Sequence, residues 1–248
     1  MSGSANDCAA AEPTARGSRI AFFGGSFDPP HLGHLAVARA ARAAFQLDQV
    51  LFAPVGAQPL KPEGPEADFA DRVAMTRLAI EDEPGFSVSL ADAPRPDGAP
   101  NFTLETLMEL RAGLGSGGAL FCLVGADSFL SLRRWHRAAE VPFVAPLIVA
   151  SRPGEPLDAL QDSLPSELQL ESTPGSDNLI SGVEIRTFEL SNRAGDRAPF
   201  YVLPGLDVRI SATQVRNEIR AGGSLAHNRQ AQVPAAVAEY VRAHRLYR

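Results

Sequence analysis

An apolar run that closes on paired glycines and gives way to a helical pattern constrains this chain more than any other feature. Arg19-Ile20-Ala21-Phe22-Phe23 is short and apolar and ends at Gly24-Gly25, which predicts a buried strand that turns sharply at its carboxyl end. From about Leu32 the spacing becomes helical, with Leu35, Val37, Ala38, Ala41 and Phe45 forming an apolar face in an alanine-rich stretch. Glycines let a ligand approach the backbone, and the positive end of the helix faces the turn. The joint between strand and helix is therefore suited to an anion such as phosphate.

Strand-like and helix-like segments go on alternating. Residues 50–54 read as a strand and 69–80 as a helix whose Phe69, Val73, Thr76 and Ile80 share a face. Residues 86–90, 119–124 and 146–150 read as further strands, 103–111 as a helix, and 234–244 as a last helix with Val237 and Val241 on one side. This pattern predicts an α/β fold, a doubly wound, mostly parallel Rossmann-like sheet with helices on both faces and its ligands at the carboxyl ends of the strands. Residues 154–205 are less regular, rich in Pro, Ser, Asp and Glu before strand-like pieces at 183–190 and 200–203, and read as an insert or long excursion. Residues 1–17 are expected to be a disordered tail, and residues 18–248 a single domain.

The 248 residues, 45% hydrophobic and 21% charged, suit a soluble enzyme with a substantial core. A formal charge of −6 without any Lys/Arg block argues against a broad nucleic-acid surface. No run approaches membrane-spanning length, and residues 1–17 lack the apolar core of a signal peptide, so a cytoplasmic location with no membrane partner is expected. Of the two cysteines, Cys8 falls in the polar tail and Cys122 in an apolar run, so no structural disulfide is expected and Cys122 reads as a small core residue.

Chemistry concentrates in a few places. His31 and His34 are three apart, so both imidazoles can reach one bound group. Histidines at this spacing alone make a poor metal constellation, whereas they can donate to phosphate oxygens and offset developing charge. Asp28, before two prolines, reads as a turn-forming carboxylate. In Ile210-Ser211-Ala212-Thr213-Gln214-Val215-Arg216, Ser211 is suited to cap a helix running to about Ala221, and Thr213 and Arg216 lie three apart on its first turn. Hydroxyls, free amides and a guanidinium converge there on one anion. Asp127, just after the 119–124 strand, suits either a ribose hydroxyl or a helix cap. Lys61, beyond the second strand, is either solvated or a phosphate partner.

The stretch from Gly24 to His34 resembles the His-x-Gly-His signature of the nucleotidylyltransferases, and Ile210 to Arg216 resembles their Ile-Ser-x-Thr-x-x-Arg segment. Further segments, over most of residues 19–248, are similar to the bacterial nicotinate-nucleotide adenylyltransferase family. Asn101-Phe102-Thr103-Leu104-Glu105-Thr106-Leu107 resembles its Tyr-Thr-x-x-Thr-Leu segment, and Gly125-Ala126-Asp127-Ser128 with the later Trp135 resembles its Gly-x-Asp-Ser segment and tryptophan. The ending Leu246-Tyr247-Arg248 is also similar.

The resemblance implies AMP transfer from ATP to nicotinate mononucleotide, with Mg²⁺ carried on ATP and no metal site of the protein's own. His31, His34 and Arg216 would be catalytic, and Gly24, Gly25, Ser26, Phe27, Lys61, Gly125, Asp127, Ile210, Ser211 and Thr213 would bind ATP. Thr103, Thr106 and Trp135 would surround the nicotinate nucleotide, with the indole stacked on the pyridine ring or else covering the core. Homo-oligomerisation stays open. Two departures stand out: Pro59-Leu60-Lys61 replaces the family's Pro-His-Lys, and Phe102 replaces a tyrosine. Nicotinamide mononucleotide or phosphopantetheine as acceptor, and a nucleotide-binding regulator without turnover, are the other readings.

Overall fold

Strand β1 (Arg19–Gly25) runs between β2 (Gln49–Pro54) and β4 (Ala119–Gly125), parallel to both. The computed structural model describes residues 17–57, 60, 63–115, 117–151, 157–172, 178–206, 210–222 and 232–248. The expected tail falls almost wholly outside these residues, as do Cys8 and Lys61. Outward from β2 lies β3 (Phe86–Val88), and beyond β4 come β5 (Leu147–Ala150) and β9 (Arg197–Leu203), giving six parallel strands in the order β3-β2-β1-β4-β5-β9. The order reverses between β1 and β4, and a doubly wound sheet opens its ligand crevice at such a point.

The irregular stretch extends the sheet. β6 (Leu168–Ser172), β7 (Asn178–Ile180) and β8 (Val183–Asn192) precede β9; β8 pairs antiparallel with β9 and also with β6 and β7. The piece expected at 200–203 is thus the core of the sixth parallel strand, and the excursion is an antiparallel addition at that edge.

Helices cover both faces. Ala21 and Phe23 of β1 pack into a cluster with α1 (Leu32–Phe45), α2 (Phe69–Ile80) and α8 (Ala235–Ala243). Ile20 and Phe22 point the other way, into a cluster with α3 (Thr103–Gly113), α4 (Ala126–Phe129) and α5 (Val141–Val144). Successive strand side chains face opposite sides, so a strand covered on both reads as continuously apolar, as β1 does. Cys122 lies in the second cluster, where burial pushes its thiol up to about 12 and leaves it inert as a nucleophile. Helix α6 (Leu157–Ser163) precedes β6, and α7 (Ala212–Arg220) follows β9. No helix among the described residues is long and apolar enough to cross a membrane.

Candidate active site

The glycine turn that ends β1 stands where two clefts meet: Gly24, Gly25 and Ser26 line both, together with Ser128 of α4. The two glycines lack side chains for a steric reason. A Cβ at Gly24 would come within 2.8 Å of the Phe22 ring, and one at Gly25 within 3.2 Å of the Phe27 ring.

The first cleft, about 440 Å³, brings together the turn, His31, His34, Gly125, Asp127, Ile210, Ser211, Thr213 and Arg216. Of the residues expected to meet ATP, only Lys61 lies outside the described residues. Phe27 takes a left-handed backbone conformation (φ 47°), uncommon for a bulky residue, and buries its ring among Phe23, Phe52 and His34. That packing supports one face of the histidine pair.

His31 caps α1, and its backbone N–H donates to Nδ1 of His34 at 3.1 Å. An accepting Nδ1 leaves the proton of neutral His34 on Nε2, so the hydrogen bond assigns the tautomer and leaves Nε2–H as a donor. The two rings stack with centroids 3.6 Å apart. Burial holds His31 down at about 4, and burial together with the neighbouring His31 holds His34 well below its ordinary range. Both imidazoles are therefore neutral at pH 7 in the ligand-free protein.

Ser211 caps α7, its Oγ accepting from the Gln214 amide at 3.2 Å. One turn on, the Arg216 guanidinium donates to the Asp28 carbonyl at 2.8 Å, to Glu66 at 2.6 Å and to Thr213 Oγ1 at 3.3 Å. Glu66 also pairs with Arg220. Asp28 does more than form a turn. Its buried carboxylate accepts from the amides of Glu66 (2.7 Å) and Ala67 (3.1 Å) and from the Tyr247 hydroxyl (2.8 Å), tying the turn, the 66–67 loop and the C-terminal residues together. Arg72, buried beneath, donates to the Ser26 carbonyl at 2.8 Å. Sequence reasoning missed Glu66 and this wider role of Asp28; the signal was the Leu-Tyr-Arg ending, whose tyrosine needs a partner once buried.

Asp127 lies in the first turn of α4, whose N-cap is Gly125 with no side-chain cap, and its exposed side chain lines the first cleft at the carboxyl end of β4.

The second cleft, about 340 Å³, is lined by Asp92, Asn101, Phe102, Thr103, Ser131, Arg134, Trp135 and His136. Trp135 packs on the second core cluster and also lines the cleft, its indole N–H donating to Ser131 Oγ at 3.3 Å. Phe102, at the tyrosine position of the resembled segment, stacks on His136 with ring centroids 4.3 Å apart. Thr106 does not line this cleft. It is buried one turn along α3 from Thr103, and its hydroxyl donates to the Asp92 carboxylate. Asp92 is itself buried, which pushes its carboxyl above the ordinary range.

Among the described residues no three His, Cys, Asp or Glu side chains gather as a metal cage, and the hydrogen bonds of Asp28 commit its oxygens within the protein.

Comparison with known proteins agrees with this geometry. Residues 22–218 match the family described as cytidylyltransferase-like. A relative from Stenotrophomonas maltophilia, named "probable nicotinate-nucleotide adenylyltransferase", is 40% identical over 231 residues, covering 92% of this chain and 96% of its own. A relative of the same name from Laribacter hongkongensis is 38% identical, covering 92% and 94%. Nicotinic acid mononucleotide adenylyltransferase from Plasmodium falciparum, solved with APC and with NaAD, superposes in both structures with a TM-score of 0.60 over 93% of this chain and 97% of that one. At 12% and 14% identity, that likeness speaks for the fold alone. With glycine turn, histidine pair and capped helix gathered at the switch point of such a sheet, the chain belongs to the cytidylyltransferase-like nucleotidyltransferases and, among them, to the nicotinate-nucleotide adenylyltransferase family.

Proposed function

We propose that the protein transfers AMP from Mg-ATP to nicotinate mononucleotide, forming nicotinate adenine dinucleotide and pyrophosphate as a step of NAD biosynthesis. The observation that carries this reading is the meeting of two clefts at one glycine turn, with the histidine pair at the junction's first-cleft side. A reaction that joins two nucleotides through their phosphates needs two pockets that share a phosphate position.

The 5′-phosphate of the acceptor attacks the α-phosphorus of ATP in line, a new P–O bond forms, and the α–β anhydride bond breaks to release pyrophosphate. The nucleophile is already anionic near neutral pH, so no general base is required and catalysis consists of positioning and charge stabilisation. His34 Nε2–H donates to the α-phosphate, and the polyanion raises the affinity of both imidazoles for a proton at the moment it is useful. Ser211, Thr213, Ile210 and the first turn of α7 hold the β- and γ-phosphates, with Arg216 exchanging part of its contact with Glu66 for phosphate oxygen. Gly24, Gly25, Ser26 and Phe27 offer backbone to the phosphates, Gly125 and Asp127 meet the adenosine ribose, and Lys61 is the remaining phosphate partner. Mg²⁺ would be carried on the ATP phosphates rather than in a carboxylate cage of the protein, and would offset part of their charge. Thr103 and Trp135 hold the acceptor, the indole face against the electron-poor pyridine, while Thr106 acts one step back through Asp92. A cytoplasmic setting fits such substrates.

The test is pyrophosphate release from Mg-ATP with nicotinate mononucleotide, nicotinamide mononucleotide and phosphopantetheine offered separately, with the product identified by mass. Preference for nicotinate mononucleotide is expected. Preference for another acceptor moves the substrate, and no release with any of the three overturns the reaction.

A further inference from the structure

Three arginines occur between residues 133 and 137, and two have protein partners. Arg133 donates to the Leu164 carbonyl at 3.3 Å, and Arg137 makes a two-pronged pair with Glu140 at 2.8 and 2.7 Å. Arg134 differs. It lines the second cleft beside Trp135, and its guanidinium has no hydrogen bond or ion pair among the described residues.

Among the described residues, the other charged or titratable polar side chains that line the cleft, Asp92 and His136, are spoken for. Asp92 is buried and accepts from Thr106, and its second oxygen lies 3.8 Å from where a Cβ on Gly24 would stand, at the turn shared with the first cleft. His136 is 3.5 Å from Glu105. The cleft therefore holds a buried carboxyl at the shared turn and an uncommitted guanidinium on the wall that carries the tryptophan.

We propose that Arg134 is a specificity-determining residue that pairs with the carboxylate on the pyridine ring and makes the protein favour the acid over the amide form of the acceptor nucleotide. The proposal rests on reading the second cleft as the acceptor site. A carboxylate offers two oxygens and a full charge to the fork of a guanidinium. A carboxamide offers one oxygen and an NH₂ group, which a donor-only guanidinium cannot accept from. The difference falls on one substituent of an otherwise identical ligand, so it appears as specificity. Arg134 is exposed. Solvent screening therefore keeps the discrimination to about five- to tenfold, from roughly 1 kcal/mol for a partly solvated pair.

The test compares wild type, Arg134→Gln and Arg134→Lys with the two mononucleotides. Steady-state kcat/KM is measured, and binding is followed separately through fluorescence of Trp135, the chain's single tryptophan. Arg134→Gln is expected to raise KM and Kd for nicotinate mononucleotide about five- to tenfold, with nicotinamide mononucleotide changed less than about twofold and KM for ATP and Tm unchanged. Arg134→Lys, which keeps the charge but not the fork, should fall between. A preference for the acid that persists undiminished in Arg134→Gln would overturn the proposal alone. A wild-type protein that adenylylates neither mononucleotide would overturn the acceptor reading itself, and the proposal with it.

Discussion

The two clefts share one glycine turn yet are built differently. The first is made from backbone and short motifs: a turn, a helix start at His31 and a capped helix start at Ser211, each contiguous in sequence. The second is made from side chains on separate segments, Asp92, Asn101 to Thr103 and Ser131 to His136, that meet only in the fold. On the proposed reading, geometry set by backbone would serve the triphosphate of ATP, while geometry set by side chains can vary with the acceptor. The contrast predicts that damage to the first cleft lowers turnover and damage to the second lowers selectivity or acceptor affinity.

The largest break should come at His34. On the proposed mechanism, replacing it with Ala removes an Nε2–H donor to the α-phosphate, a kind of contact worth about 10²- to 10³-fold in kcat. Pyrophosphate release should fall by that factor while ATP affinity, measured by calorimetry, changes far less. Equal modest losses in both would mean that the histidine only binds.

His31 should make the first cleft acid-sensitive. Its folded value of about 4 lies below the ordinary 6.5, so between these values the unfolded chain binds more protons and stability rises with pH. The stabilisation is complete above pH 6.5 and is lost as pH falls toward 4, in total about 3 kcal/mol. Urea midpoints of wild type and His31→Gln should therefore converge toward the variant on going from pH 7 to pH 4.5. A constant gap would show that His31 titrates normally in the folded protein.

At Trp135 the expected effect is smaller and confined to the other cleft. Trp135→Ala removes a stacking face fixed by Ser131. KM for the acceptor should rise about tenfold, in line with the loss of one stacking contact, while KM for ATP stays put. A matching rise for ATP would mean that the indole supports the whole site.

The same contrast explains what could be read from the chain beforehand. The parallel sheet was legible because β1, β2, β4 and β5 are buried on both faces and therefore continuously apolar, with helical periodicity between them. The antiparallel β6 was not, since Leu168–Ser172 exposes Gln169, Glu171 and Ser172 and presents too few apolar positions to show a period. In the first cleft, the contiguous motifs already brought the histidines, Ser211, Thr213 and Arg216 into view. The partners Glu66 and Tyr247 were hidden by sequence separations of 150 residues from Arg216 and 219 from Asp28. Asp92 and Arg134 carry no local pattern at all; one gains meaning from burial, the other from lacking a partner among the described residues.

Asp92 offers the finest probe of the comparison, because its pH dependence has the opposite sign. Burial raises its carboxyl above the ordinary value, so within that window the folded state binds more protons than the unfolded chain, and stability falls as pH rises through the folded value. Asp92→Asn keeps an oxygen to accept from Thr106 but cannot ionise. The Tm of the variant relative to wild type should therefore climb between pH 4 and pH 7, over the range where the His31 variant shows the reverse trend. A relative Tm that is flat or declining would mean that the carboxyl ionises as freely in the fold as in water. With the predicted slope, burial keeps the Asp92 carboxyl protonated to a higher pH than in water, and its ionisation as pH rises is opposed by the desolvation that the cleft wall imposes.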